Sequence, residues 1–440
     1  MAARAGIVVT GTELLTGRVA DRNGPWLAER LRLLGVDVAQ VIVVGDRPAD
    51  LRWALRALAD QGLDLLITSG GLGPTADDLT AQIVSEVQGR AFQPDAVLER
   101  QIADIAAELS TGRGWRPAPE ATAAGVRKQA TVPVGATVLA PVGTAPGLLV
   151  PVADGHRGPP VLVLPGPPAE LQAMWPAAVA DPALRKILAG HRELRQRMLR
   201  LWGTPESELA ATLRELEPEL SGLEITTCLH DGELEIVTRY SPDAQASYDT
   251  LAAAIAQHYP QTLFSADGRT IDEIVATQLS HRNLTIATAE SCTAGMLAAR
   301  LADIAGSSSY LLGGLVVYSN EAKQQLAGVR RQLLDEVGAV SSEVAEALAQ
   351  GARQRLHADI GVGITGIAGP GGATAGKPVG LVYLCVAGEA RTVTRRVILP
   401  GSRAAIRSRA TVLALHLIRE LLERLEGLDE ASPATANRVR

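Results

Sequence analysis

The sequence is poor in lysine, cysteine and aromatic residues, and each scarcity excludes something. Lysine occurs only at 128, 186, 323 and 377, while arginine supplies the other 38 of the 42 basic side chains. A reaction that needs a basic amine therefore has few candidates, because a guanidinium keeps its proton. Three cysteines, Cys228, Cys292 and Cys385, are odd in number and far apart. They fit neither a disulfide framework nor a paired-cysteine metal site, and they suit a reducing, cytoplasmic setting. Aromatics make up 3% of the chain, too few for the stacking platforms of single-strand binders. A formal net charge of -6 argues against nucleic acid held by a general basic field. No apolar run reaches the length of a membrane span, and the chain opens on a strand-like Ala5–Thr10 with no signal-peptide pattern. The expectation is a soluble cytoplasmic protein with neither membrane nor nucleic acid as partner.

What is present is alternation. A chain of 440 residues favours two to four domains. From residue 6 to about 176, short β-branched runs (Ile7–Thr10, Val38–Val44, Leu63–Thr68) alternate with amphipathic stretches (Trp26–Leu34, Asp50–Gln61, Leu79–Glu86). This pattern predicts βαβ units around a parallel sheet with buried strands. Glycine-containing loops follow the strands at Gly11, Gly45-Asp46 and Gly70–Thr75, where ligands bind in open α/β sheets. Residues 177–266 read as a small α+β unit in β-α-β-β-α-β order, without a glycine cradle or clustered carboxylates, and so as a linking or packing domain. A third block, 267–425, again places strand ends at glycine-rich loops, and a polar tail, 426–440, is expected to be mobile.

In the third block the strand Leu284–Thr288 runs into Ala289-Glu-Ser-Cys-Thr-Ala-Gly295, predicted to open a helix. Ser291 would then meet free amides and the positive end of a helix dipole, which suits a nucleophile and equally suits a simple N-cap. A serine nucleophile needs a base, and none of the seven histidines lies in these loops. Lys323, the lysine beside Tyr318-Ser-Asn320, is the economical alternative if burial lowers its pKa, and a solvated lysine at a helix start is the plainer one. Cys292 is the rival nucleophile, although a buried packing thiol is its simpler reading. In the first block, Gly70-Gly-Leu-Gly-Pro-Thr-Ala-Asp-Asp-Leu-Thr80 couples flexible backbone to paired carboxylates, a combination that suits phosphate beside a hard divalent cation. An acidic pair complementing a helix dipole is the competing explanation.

Ala289–Gly295, Gly314–Lys323, Gly363–Gly372 and Lys377-Pro-Val-Gly380 together resemble the signature of the CinA C-terminal family. The resemblance implies a nicotinamide mononucleotide deamidase without a cofactor. Ser291 would be the nucleophile and Lys323 its base with Tyr318 nearby, and Glu290, Thr293, Asn320, Thr365, Gly366, Gly369 and Gly371 would surround the substrate. Ala294 departs from the glycine many relatives carry there, with helix packing as the expected consequence. Gly11–Gly17, Asn23, Gly45-Asp46, Gly70–Thr80, Lys128-Gln-Ala130, Gly143–Gly147 and Pro165–Glu170 resemble the CinA N-terminal domain, which is related to molybdopterin-binding enzymes. This second resemblance implies a three-layer parallel-sheet domain with ADP-ribose pyrophosphatase activity, dependent on magnesium or a similar divalent metal and helped by potassium. Gly70, Gly71, Gly73, Thr75, Thr80 and Lys128 would hold phosphate, and Asp46, Asp78 and Glu170 the metal, with Asp77 a further candidate. Between the two domains the resemblance places a KH-like unit, and it implies a homodimer. A molybdopterin-cofactor transferase and a non-enzymatic partner protein of competence or DNA repair are the alternatives.

Overall fold

The computed structural model describes residues 3–113, 118–189 and 194–429. Two compact units divide the chain. One comprises Met1–Gln196, Gly222–Glu224 and Arg239–Ala246, the other Arg197–Ser221, Ile225–Thr238 and Ser247–Arg440, so that residues 177–266 are shared between them.

In the first unit the sheet runs in the order Asp37–Val44, Arg4–Thr10, Leu65–Ser69, Val161–Leu164, Gly147–Val150, Thr137–Leu139. The first four strands are parallel, as the βαβ alternation predicts, and the last two join antiparallel. That antiparallel pair is only three and four residues long, too short to show a period. Successive side chains leave a strand on opposite faces. Val8 and Leu66 accordingly enter one apolar core while Ile7, Val9, Leu65 and Ile67 enter another. Burial on both faces accounts for the continuous apolar runs, and the parallel register ends Thr10, Val44, Ser69 and Leu164 at one edge of the sheet.

The second unit holds a five-stranded sheet in the order Leu311–Val316, Ile286–Glu290, Ile360–Gly366, Leu381–Ala387, Thr392–Ile398. Its first three strands are parallel and its last two antiparallel. The helix Ser342–Arg355 lies close on the central strand because Gly361 and Gly363 carry no side chain, and a Cβ at either would strike the carbonyl of Ala349 or Ala345. The closing helix, Arg403–Asp429, buries Ile406, Ala410, Leu417 and Leu421 in the core on the opposite face. It continues to Asp429 instead of ending near Leu425, and 430–440 of the expected tail lie outside the described residues. Arg195–Trp202, Leu223–His230, Glu233–Tyr240 and Leu263–Ser265 form a four-stranded sheet, and with the helices Glu206–Leu216 and Gln245–His258 they follow the expected chain order. No helix among the described residues is long and apolar enough to cross a membrane.

Candidate functional sites

Strand Ile286–Glu290 delivers Ser291, but no helix starts there. Residues 291–295 form a loop and the helix begins at Met296, with Gly295 as its N-cap. Three of the amides that follow it are taken elsewhere. The fully buried Glu290 carboxylate accepts from Gly295 N at 3.0 Å, Leu297 N at 3.1 Å and Ala298 N at 2.9 Å, as well as from Thr288 Oγ1 at 3.1 Å. Ser291 N itself donates to Ile364 O. Glu290, expected against substrate, therefore caps the helix from beneath and holds the loop. Glu290→Ala would leave three buried or part-buried amides without this partner, and we expect a loss of about 2–4 kcal/mol, read from the urea midpoint.

The loop's sharpest residue is Ala294, at φ 51. A left-handed backbone costs a residue with a Cβ roughly 1 kcal/mol, which is a physical reason for glycine at this position. The cost lies in the backbone rather than in the helix packing expected from sequence.

Lys323 projects from the helix Asn320–Ala327, whose N-cap Ser319 accepts from Ala322 N at 3.0 Å. Its ammonium is buried, 2% exposed, and burial lowers its pKa from the ordinary lysine value. Nζ lies 3.1 Å from Ser291 Oγ, 2.9 Å from Val317 O and 3.2 Å from Tyr318 O. Nζ donates to both carbonyls and to Ser291 Oγ; on losing a proton, an amine held by the same two carbonyls would turn its lone pair to the serine hydroxyl. Ser291 is itself 8% exposed, so the pair sits in a largely desolvated place.

The remaining predicted residues divide. Tyr318 is exposed and its hydroxyl accepts from Arg403 Nη2 at 2.6 Å, while Arg403 Nη1 donates to Gly369 O at 2.8 Å. Thr293, within the loop, is buried with Oγ1 unpartnered. Thr365 Oγ1 turns away to donate to Ala339 O, and Gly366 is packed against the backbone of Leu381 and Val382. Gly371 faces open space, and Asn320 lies exposed at the start of Lys323's helix. Arg403 and Arg407 lie outside every motif of the sequence. Arg407 donates to Cys292 O at 3.0 Å and to Thr293 O at 2.8 Å, fastening the serine loop. Their only advance signal is the i, i+4 spacing of two arginines at the start of a helix.

Cys292 does not compete. It is buried, and burial pushes its thiol up to about 11, as it does for Cys385. A thiol reagent at neutral pH is expected to titrate one group quickly, the exposed Cys228, and all three only after denaturation. Rapid loss of a second native thiol would contradict this assignment.

At the strand ends of the first unit lies a cavity of about 570 Å³. Gly70, Gly71, Gly73, Asp46, Asp78 and Glu170 all line it, and so does Asp77. Positive φ at Gly70 and Gly71 turns the chain under the cavity, where a Cβ would meet Thr10 and Thr80. Thr80 and Thr75 do not line it, and Lys128 lies in an adjoining recess with its ammonium on the Thr75 carbonyl. The helix begins at Thr80, beyond the acidic pair. Asp78 instead accepts from Thr75 N at 3.0 Å and, like Asp77, from the Thr75 hydroxyl, whose hydrogen bond lowers the Asp77 pKa. Asn23, buried at the cavity wall, bridges Ser69 Oγ and Gly166 O through Nδ2.

Whether these carboxylates suit a metal depends on their spacing and charge. Among the described residues no three His, Cys, Asp or Glu side chains cluster closely enough to hold an ion alone. The oxygen donors of Asp46, Asp78 and Glu170 nevertheless fit a hard cation bound through one or two carboxylates that completes its shell with water and phosphate, as magnesium does. Burial raises the Glu170 pKa, and a nearby cation would offset that desolvation.

The fold defines an α/β protein with one candidate strand-end site in each unit. Residues 6–186 match the family described as the probable molybdopterin binding domain, and residues 268–422 match the CinA C-terminal domain. A CinA-like protein of Mycobacterium sp. (strain MCS) is 56% identical over 427 residues, which cover 96% of this chain and 100% of that protein. The CinA-like protein of Mycobacterium tuberculosis (strain ATCC 25177 / H37Ra) is 50% identical over 436 residues, covering 97% and 99%. The crystal structure of competence/damage inducible protein CihA from Agrobacterium tumefaciens is 38% identical and covers 34% of this chain and 93% of that one, with a TM-score of 0.34. The chain belongs to the family of CinA-like proteins.

Proposed function

We propose that the chain hydrolyses the carboxamide of nicotinamide mononucleotide at the Ser291–Lys323 pair, releasing nicotinate mononucleotide and ammonia. The observation that carries this reading is the buried Lys323 amine, 3.1 Å from Ser291 Oγ with two carbonyls on its other side. Neutral Lys323 takes the hydroxyl proton as Ser291 Oγ attacks the amide carbon. The same ammonium then protonates the departing nitrogen, the C–N bond breaks and an acyl-serine remains. Water, deprotonated by the again neutral Lys323, hydrolyses that ester and regenerates both groups. Purified full-length protein is expected to form ammonia and nicotinate mononucleotide in equal amounts from nicotinamide mononucleotide. Failure to form either one overturns the substrate assignment.

For the first unit we propose a divalent-metal-dependent ADP-ribose pyrophosphatase, supported by the carboxylates and backbone turns that share one cavity. Asp46, Asp78 and Glu170 are the groups that would hold the metal. The cation would supply charge neutralisation of the phosphates. Asp78→Asn is expected to reduce magnesium-dependent AMP release from ADP-ribose by at least ~100-fold while leaving ammonia release intact. Undiminished AMP release would remove Asp78 from the site.

A further inference from the structure

Among its described residues the α+β block 177–266 has no cluster of carboxylates that could hold a metal, yet its hairpin touches the helix that serves the proposed deamidase site. We propose that the tip of this hairpin, through Asp231, positions the helix Arg403–Asp429 so that Arg407 holds the Ser291 loop, and Arg403 the neighbouring Tyr318 and Gly369, in reactive geometry. The proposal rests on the deamidase reading.

Two acidic residues fix the helix. Asp231 Oδ2 accepts from Ser408 Oγ, one residue beyond Arg407, and Arg409 Nε lies 3.8 Å from Asp231 Oδ1. Eight residues further along, His416 Nε2 lies 2.7 Å from Glu233 Oε1. Anchors roughly 12 Å apart on one helix restrain both its axial position and its tilt. The turn is built for close approach. Asp231 has φ 49 and Gly232 φ 96, and a Cβ on Gly232 would come within 2.9 Å of the Trp202 ring. Trp202 in turn stacks on His416, with centroids 4.0 Å apart and planes at 13°. Tip, tryptophan and helix thus form one packed column.

On the other side of the helix the consequence reaches the chemistry. Arg407 grips the carbonyls of Cys292 and Thr293, the two residues after Ser291, and Arg403 grips Tyr318 and Gly369. Asp231 touches no reacting atom, so it is a positioning residue. A shift of the helix moves Ser291 relative to Lys323, which lowers turnover more than substrate affinity.

The test uses the full chain and two substitutions at one position. Asp231→Gly keeps the left-handed turn and removes the carboxylate; Asp231→Asn keeps the turn and restores an acceptor for Ser408. Two rates are measured, kcat and KM for ammonia release and the rate at which a fluorophosphonate labels Ser291, together with Tm. We expect Asp231→Gly to lower kcat and labelling about tenfold with KM within ~2-fold and Tm within ~4 °C, and Asp231→Asn to recover most of both rates. Wild-type rates in Asp231→Gly overturn the proposal, and so does a loss that Asp231→Asn leaves unrepaired. If Ser291 is labelled and the labelling rates of the two variants show this pattern, but wild type does not deamidate nicotinamide mononucleotide, the substrate reading falls and the positioning role stands.

Discussion

Lys323→Met is expected to lower kcat for ammonia release by ~10³-fold or more, and Lys323→Arg to restore none of it. A general base contributes roughly 10²–10⁴ to such a reaction, and here the same group also protonates the leaving nitrogen. Arginine keeps the charge and loses the function, because its guanidinium does not give up a proton near neutral pH. Burial lowers the Lys323 pKa, and only the neutral amine can accept the serine proton. In wild type kcat/KM should therefore climb with pH through a limb below the ordinary lysine range and level off above it. A limb at the unperturbed lysine value would mean that Lys323 is not the base.

Ser291→Ala is expected to cost more, on the order of 10⁴–10⁶ in kcat, since deleting a nucleophile abolishes the covalent route. The fold should tolerate the change, because Ser291 holds its loop through its backbone N–H to Ile364 O and not through Oγ. Cys292→Ala is the matched control. Its thiol is buried with a pKa of about 11, so its removal should leave kcat within a few-fold. Loss of ammonia release in Cys292→Ala with retention in Ser291→Ala would exchange the two roles.

How much of this was legible in the sequence depends on distance along the chain. Glycine-containing strand ends, which parallel strands bring together, draw attention to Ser291 and Lys323, but spacing alone favours a capping serine and a solvated lysine, and it is the family resemblance that implies their roles. The four-stranded parallel core of the first unit follows from its unbroken apolar runs. Local detail was misread where a side chain outcompeted a propensity. Glu290, next to the serine, takes the amides that a helix start would have offered to Ser291, and the helix begins later as a result. Lys128, expected on phosphate, is held by the Thr75 carbonyl. Arg403, Arg407 and the Asp231–Ser408 bond escaped altogether. Nothing in composition or spacing names partners that lie from 34 to 177 residues away along the chain.

Ammonia release from nicotinamide mononucleotide by the full-length chain and by its Ser291→Ala form, assayed side by side, tests the central claim most directly. The account predicts one ammonia per nicotinate mononucleotide from wild type and a rate at least ~10⁴-fold lower from Ser291→Ala. Wild-type rates from Ser291→Ala would contradict it.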